Sequence, residues 1–172
     1  MTFRLSGMGY DLLEHFEQGP EGGFAPRPYQ GKADAPNKFT IGWGHLIKKG
    51  ESFPLPLTSQ QADDLLGADV EGFEEKVSLR LLPVKSEVRQ CHLDAMLSLA
   101  FNVGYGVNDG KPGDFADSTL VNLYLKKMFQ LAAAEFDKWI FSAGVIRPGL
   151  IRRRKCEKYL FLNNKNHPTF FL

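Results

Sequence analysis

Net charge is almost absent from this chain. Lys and Arg number 21 against 20 Asp and Glu, for a formal charge of +1. That balance excludes a general nucleic-acid binder, which works through a strong basic excess. Cysteine is scarce as well. Cys91 and Cys156 are the only two, far apart and in no metal-like spacing, so neither a disulfide scaffold nor a zinc module is expected and both read as reduced structural thiols. Long apolar runs are missing, and with them any membrane span. Residues 1–16 lack a charged start followed by a long apolar stretch, so no secretory signal is visible. No internal repeat, low-complexity tract, metal-ligand cluster, phosphate loop or Ser-His-Asp pattern occurs, and neither metal nor cofactor is expected.

What is present suits one compact domain over residues 1–172, long enough to bury a core. Apolar content is 43% and charge 24%, ordinary for a globular protein. The charge is uneven along the chain. Residues 58–75 hold six acids and no base, whereas Arg147 to Lys165 holds seven bases and only Glu157 as acid. Two readings stay open for these runs: solvated or salt-bridged helix faces, or, for the Arg152–Arg154 run, a surface for anionic polymer.

Local patterns predict α+β organisation. Ser6 is positioned to cap a first helix with Tyr10, Leu12, Leu13 and Phe16 on its apolar side, ending by Gly19-Pro20. Residues 21–56 are rich in Gly and Pro, with β-type runs at Phe24–Tyr29 and Lys38–Trp43, which predicts a small hairpin or three-stranded sheet with loop 30–37 at its tip. Thr58-Ser59-Gln60-Gln61 is a capping box, and a long helix follows it. Further helices are expected over about 86–103, from Ser118, and over about 130–141 and 148–162, with an irregular tail. The architecture expected is a small lobe (about 18–57), a larger helical lobe (about 81–162 plus the first helix), a long helix joining them and a cleft between the lobes.

Three polar residues stand out within this frame. Glu17 closes the first apolar helical run, Asp34 sits in the 30–37 loop, and Thr40 opens a strand that Gly42 and Gly44 keep thin. An acid, a second acid and a hydroxyl brought together by a hairpin fit glycosidic bond cleavage. One carboxyl protonates the leaving oxygen, and other polar groups hold a water or stabilise the developing cation. Asp34 is the only acid between Glu21 and Glu51, so a second carboxylate on the hairpin must be this one. Each has a plainer reading: a solvated helix glutamate, a turn aspartate, a β-branched strand residue. Glu21, followed by two glycines, rivals Glu17 for the role of acid. His45 reads as structural, paired with an acid of the long helix, for which Asp69 is chosen.

The chain resembles the phage-type lysozymes, the muramidase endolysins. The resemblance rests on Gly9-Tyr10-Asp11-Leu12-Leu13-Glu14-His15-Phe16-Glu17, Pro28-Tyr29, and Thr40-Ile41-Gly42-Trp43-Gly44-His45. It continues through Phe101-Asn102-Val103-Gly104, Ser118-Thr119-Leu120, Trp139, Pro148-Gly149-Leu150 and Arg152-Arg153-Arg154 with Glu157. It implies a lysozyme-like fold, with Glu17 as acid, Asp34 as second carboxylate and Thr40 orienting the attacking water. It also implies hydrolysis, with inversion, of the β-1,4 bond between N-acetylmuramic acid and N-acetylglucosamine. Two departures from the family pattern are a short insertion within Gln30–Ala33 and Asn37 in place of a glycine. The partner implied is bacterial peptidoglycan, met by a monomer with no nucleic acid and no stable membrane association. Synthesis would be cytoplasmic, and release to the periplasmic wall would depend on a holin. The alternatives left open are a lytic transglycosylase, an antibacterial effector or bacteriocin domain, and a non-catalytic wall-binding module.

Overall fold

A computed structural model describes residues 2–31, 38–107 and 114–167. The chain divides into two compact units: Leu13–Gly72 and, from two separate stretches, Met1–Leu12 with Phe73–Leu172. Helix α1 (Gly7–Phe16) and helix α2 (Ser59–Leu81) each run from one unit into the other.

The unit of residues 13–72 is built on a three-stranded antiparallel sheet in the order β1 (Ala25–Tyr29), β2 (Thr40–Gly42), β3 (His45–Leu46). Thr40 pairs with both Tyr29 and Leu46, and Ile41 pairs with His45. Alternation therefore sends Ile41 and His45 to one face, where both are buried. Trp43-Gly44 makes the β2–β3 turn, with φ of +63° at Gly42 and +83° at Gly44, a region that side chains with a Cβ avoid. Gly42 also lies flat on α2: a Cβ there would sit 3.7 Å from the Cα of Ala62. The α2 cap forms as the sequence predicts. Thr58 N donates to Gln61 Oε1 (2.9 Å) and Gln61 N to Thr58 Oγ1 (3.2 Å).

The second unit centres on α3 (Gln90–Val103), in which Cys91 through Ala100 are all buried. It packs against α6 (Pro148–Asn163), while α4 (Thr119–Leu125) packs against α5 (Phe129–Glu135). Ser118 caps α4 by accepting from Val121 N at 3.2 Å. An aromatic cluster closes the core. His92 stacks on Phe161 with ring centroids 4.1 Å apart and hydrogen-bonds the Tyr124 hydroxyl at 3.1 Å. Burial brings His92 down to about 4 from its usual 6.5 and pushes the Tyr124 hydroxyl up. Cys91 and Cys156 are free and buried, as expected of structural thiols.

Two expectations change. The helix expected from about 86 begins later, as α3 at Gln90, because Ser86 and Glu87 end a 3-10 segment (Leu82–Glu87) and the two residues between, Val88 and Arg89, are extended, with ψ of 113° and 146°. The helix over 130–141 stops at a 3-10 turn, Phe136–Lys138, and a second hairpin follows, β4 (Phe141–Ser142) and β5 (Val145–Ile146). Its turn holds Ala143 at φ +51° and Gly144 at +75°, the double positive-φ bend of a tight hairpin. Ser6 stands directly before α1, and its hydroxyl also donates to Asp94 (2.5 Å), which ties the chain's start to α3.

Candidate active site

Glu17 hangs from the last turn of α1: its amide donates to the Leu13 carbonyl at 2.8 Å. Its carboxylate reaches the β2–β3 turn. A Cβ on Gly44 would come 3.1 Å from Glu17 Oε2 and push the carboxylate aside by a few tenths of an ångström, and the φ of +83° itself favours glycine. Glu17 is half-buried. Its rival, Glu21, is exposed in the following turn, where Gly19 N donates to Gly23 O (2.7 Å) and Gly22 N to Gly19 O (3.1 Å).

Thr40 opens β2, half-buried, opposite Tyr29 and Leu46. By pleat alternation its side chain lies on the face away from Ile41 and His45. Asp34 lies outside the described residues. The described part of the site thus joins a helix-borne carboxyl to the turn of the strand that Thr40 begins.

Around this turn the side chains are held from several directions. Trp43 Nε1 donates to Asp63 Oδ1 on α2 at 2.8 Å, and the Trp43 ring lies 5.9 Å from that of Phe24. His45 pairs with Asp69, as the sequence predicts, with Nδ1 2.8 Å from Oδ2 and 2.9 Å from Oδ1. A second carboxylate takes the other ring nitrogen: Glu51 Oε2 is 3.0 Å from His45 Nε2 and accepts from Lys48 N at 2.7 Å. That backbone bond, then the His45 contact, holds the Glu51 carboxyl below its usual range. Glu51 was not anticipated; its signal was the spacing Lys48-x-x-Glu51, which lets a side chain cap a turn amide. His45 is therefore a clamp that ties β3 to α2 and to its own following turn.

The Arg152–Arg154 run resolves into unlike residues. Only Arg152 is exposed, whereas Arg153 and Arg154 are buried around Glu157, itself fully buried. Arg153 Nε lies 3.2 Å from Glu157 Oε1, Arg154 Nε 2.7 Å from Oε2, and the Ser98 hydroxyl donates to Oε1 at 2.7 Å. Arg154 also donates to Asn102 Oδ1 at 3.0 Å. This is the salt-bridged reading, with the arginines turned inward to join α6 to α3.

A carboxyl at a helix end, laid on the glycine turn of a small antiparallel sheet and followed by a helical unit, describes a lysozyme-like α+β protein. The fold bears this out. Over 96% of this chain and 97% of the other, it superposes on an endolysin from Escherichia coli O157:H7 phage FAHEc1 with a TM-score of 0.76 at 26% identity. The chain belongs to the phage lysozyme family, whose family model, described as phage lysozyme, matches residues 20–157. Glu17 precedes that span. An endolysin of Bacillus phage PZA is 34% identical over 158 residues, 92% of this chain and 55% of that protein. The chain thus spans about half the length of the first curated relatives it matches. An endolysin of Acyrthosiphon pisum secondary endosymbiont phage 1 is 29% identical and is matched over 97% of its length.

Proposed function

We propose that this chain is a peptidoglycan muramidase that hydrolyses the β-1,4 bond between N-acetylmuramic acid and N-acetylglucosamine, serving as a phage or prophage endolysin in host lysis. Membership of the phage lysozyme family supports the reaction class. One observation carries the assignment of the acid: the Glu17 carboxylate lies on the Gly44 turn, whereas Glu21 is exposed in the turn after α1.

In this reading Glu17 is the general acid and protonates the leaving oxygen. Thr40 holds the attacking water by its hydroxyl, and Asp34 is the second carboxylate that orients this water and balances the developing positive charge. Water entering from the side opposite the leaving group inverts the anomeric centre. That geometry asks for the two carboxyls to stand roughly 6.5–9.5 Å apart. Two carboxyls and water supply what the reaction needs, without a cofactor. The chain would act as a monomer, reach the wall from the cytoplasm through holin lesions, and meet the glycan on its periplasmic side.

The test is product analysis of digested sacculi by mass spectrometry, run beside two variants. Reducing muramic ends are expected from the wild type. Glu17→Gln removes the transferable proton and should lower turnover by about 10²–10⁴-fold with the melt unchanged. Glu21→Gln should turn over normally. Anhydro-muramic ends would instead make the chain a transglycosylase, which needs neither Asp34 nor Thr40. A dead Glu21→Gln beside an active Glu17→Gln would transfer the acid to Glu21.

A further inference from the structure

The β4–β5 hairpin has no role in the chemistry above, and it is the most apolar exposed element among the described residues. Every residue from Phe141 to Gly149 is exposed, with Phe141 at 57%, Val145 at 53% and Ile146 at 50%. The register decides what kind of surface this is. Phe141 pairs with Ile146 and Ser142 with Val145, so Phe141 and Ile146 project from one face of the ribbon and Val145 from the other. A hairpin that lies on a protein or a glycan strand needs an apolar side toward its partner and a wet side away from it. This one exposes an apolar side chain on each side, Phe141 and Ile146 on one and Val145 beside Ser142 on the other, a finger suited to a medium that surrounds it.

The flanking residues say which medium. Lys138, Trp139 and Ile140 lead into β4, and Arg147 follows β5. From Lys138 to Cys156 the chain holds six bases and no acid. Arg153 and Arg154 are buried around Glu157, Lys138 is exposed but paired with Glu135 at 2.7 Å, and Arg147, Arg152 and Lys155 are exposed on this stretch. An apolar tip, a tryptophan at its base and a collar of cations match the layers of an anionic bilayer surface: acyl region, interface, headgroup phosphates. No helix among the described residues is long and apolar enough to cross a membrane, so contact of this kind is shallow and reversible.

We propose that the β4–β5 hairpin is a membrane-docking finger that inserts Phe141, Val145 and Ile146 into the interface of anionic phospholipid bilayers. The two-residue bend at Ala143-Gly144 presents these side chains without cost to the core, since none of them is buried in the protein. Docking would hold the enzyme at the inner-membrane face of the wall, next to its substrate. The proposal does not depend on the muramidase assignment, because vesicle binding is read without turnover.

The experiment is flotation of the full chain with vesicles of phosphatidylcholine alone or mixed with phosphatidylglycerol, at low and raised salt. Wild type is expected to float with the anionic vesicles and to release as salt rises. The double variant Phe141→Ser/Ile146→Ser should lose about tenfold or more in partitioning, since withholding one large apolar side chain from an apolar phase is worth about that factor. Val145→Asp, on the opposite face, should lose as much. Turnover of soluble muropeptide chains by the same variants should be unchanged, and their melts should match wild type. Equal partitioning of wild type and both variants, or binding that ignores lipid charge, would overturn the proposal. So would variants that bind vesicles normally but show a raised KM on sacculi, which would make the hairpin a glycan contact.

Discussion

At the scale of single residues, glycine and carboxylate positions explain one another. Gly44 carries a positive φ that forms the turn, and the missing Cβ leaves the space into which Glu17 projects. His45 two-sidedly bonded to Asp69 and Glu51 gives the same strand a second anchor. Glu51 offers a sharp pH test. Its folded-state titration lies below that of the free side chain, first through the Lys48 amide and then through His45. A lowered carboxyl pKa means that its contribution is fully present above the ordinary glutamate range, near 4.5, and is lost as pH falls through the folded value. Glu51→Gln should therefore lower the melting temperature at pH 6–7, and the gap to wild type should close in thermal melts taken toward pH 3. A gap that stays constant over that range would mean that Glu51 contributes packing and not charge. Asp69 was legible beforehand because a strand-end histidine needs an acid from the helix beneath it; Glu51 was not, because its role depends on how tightly the chain turns back after β3.

At the scale of elements, the parts read from the sequence are those set by local chemistry. The Thr58–Gln61 box and the Ser118 cap both form, because hydroxyl and amide groups at those spacings satisfy helix-end amides whatever the tertiary setting. The β4–β5 hairpin was missed because Trp139, Ile140 and Phe141 continue an apolar helical pattern, and the turn that ends it puts a non-glycine residue, Ala143, at positive φ. The inward course of Arg153 and Arg154 was equally hidden, since three consecutive arginines look like solvent-facing charge until Glu157 is known to sit inside. That buried cluster joins α6 to α3, so its loss should be costly. In Glu157→Gln two buried guanidiniums lose their counter-charge, a change worth about 3–5 kcal/mol when one partner of a buried pair is removed. Chemical denaturation should show this as a large drop in the urea midpoint. A loss under about 1 kcal/mol would mean that Asn102 and Ser98 are enough to hold both arginines.

At the scale of the whole molecule, the second unit is assembled from two stretches separated in sequence by residues 13–72, so its closure rests on bonds across a long loop. Those bonds are short and end on buried acceptors, Ser78, Glu74 and Asp94. Phe3 N donates to Ser78 Oγ at 2.7 Å and Leu5 N to Glu74 Oε1 at 2.6 Å. Fully buried Asp94 accepts from Ser6 N at 2.9 Å, Ser6 Oγ at 2.5 Å and Gln90 Nε2 at 2.8 Å. Nothing in the sequence announces this: Asp94 falls on an apolar helix, and Ser6 reads as a cap for α1. Substitutions at Asp94 should divide by what they leave behind. Asp94→Ala strands a backbone amide and a hydroxyl together and opens a void, so about 2–4 kcal/mol should be lost. Asp94→Asn keeps one carbonyl oxygen for the Ser6 and Gln90 donors, and its amide can donate to Ser6 Oγ once that hydroxyl rotates, so the cost should be about 1 kcal/mol. The graded pair distinguishes a hydrogen-bonded tie from a requirement for charge. Equal losses in urea titrations would show that the negative charge itself fastens the first residues of the chain to α3, whereas the expected difference would assign that work to the count of acceptors.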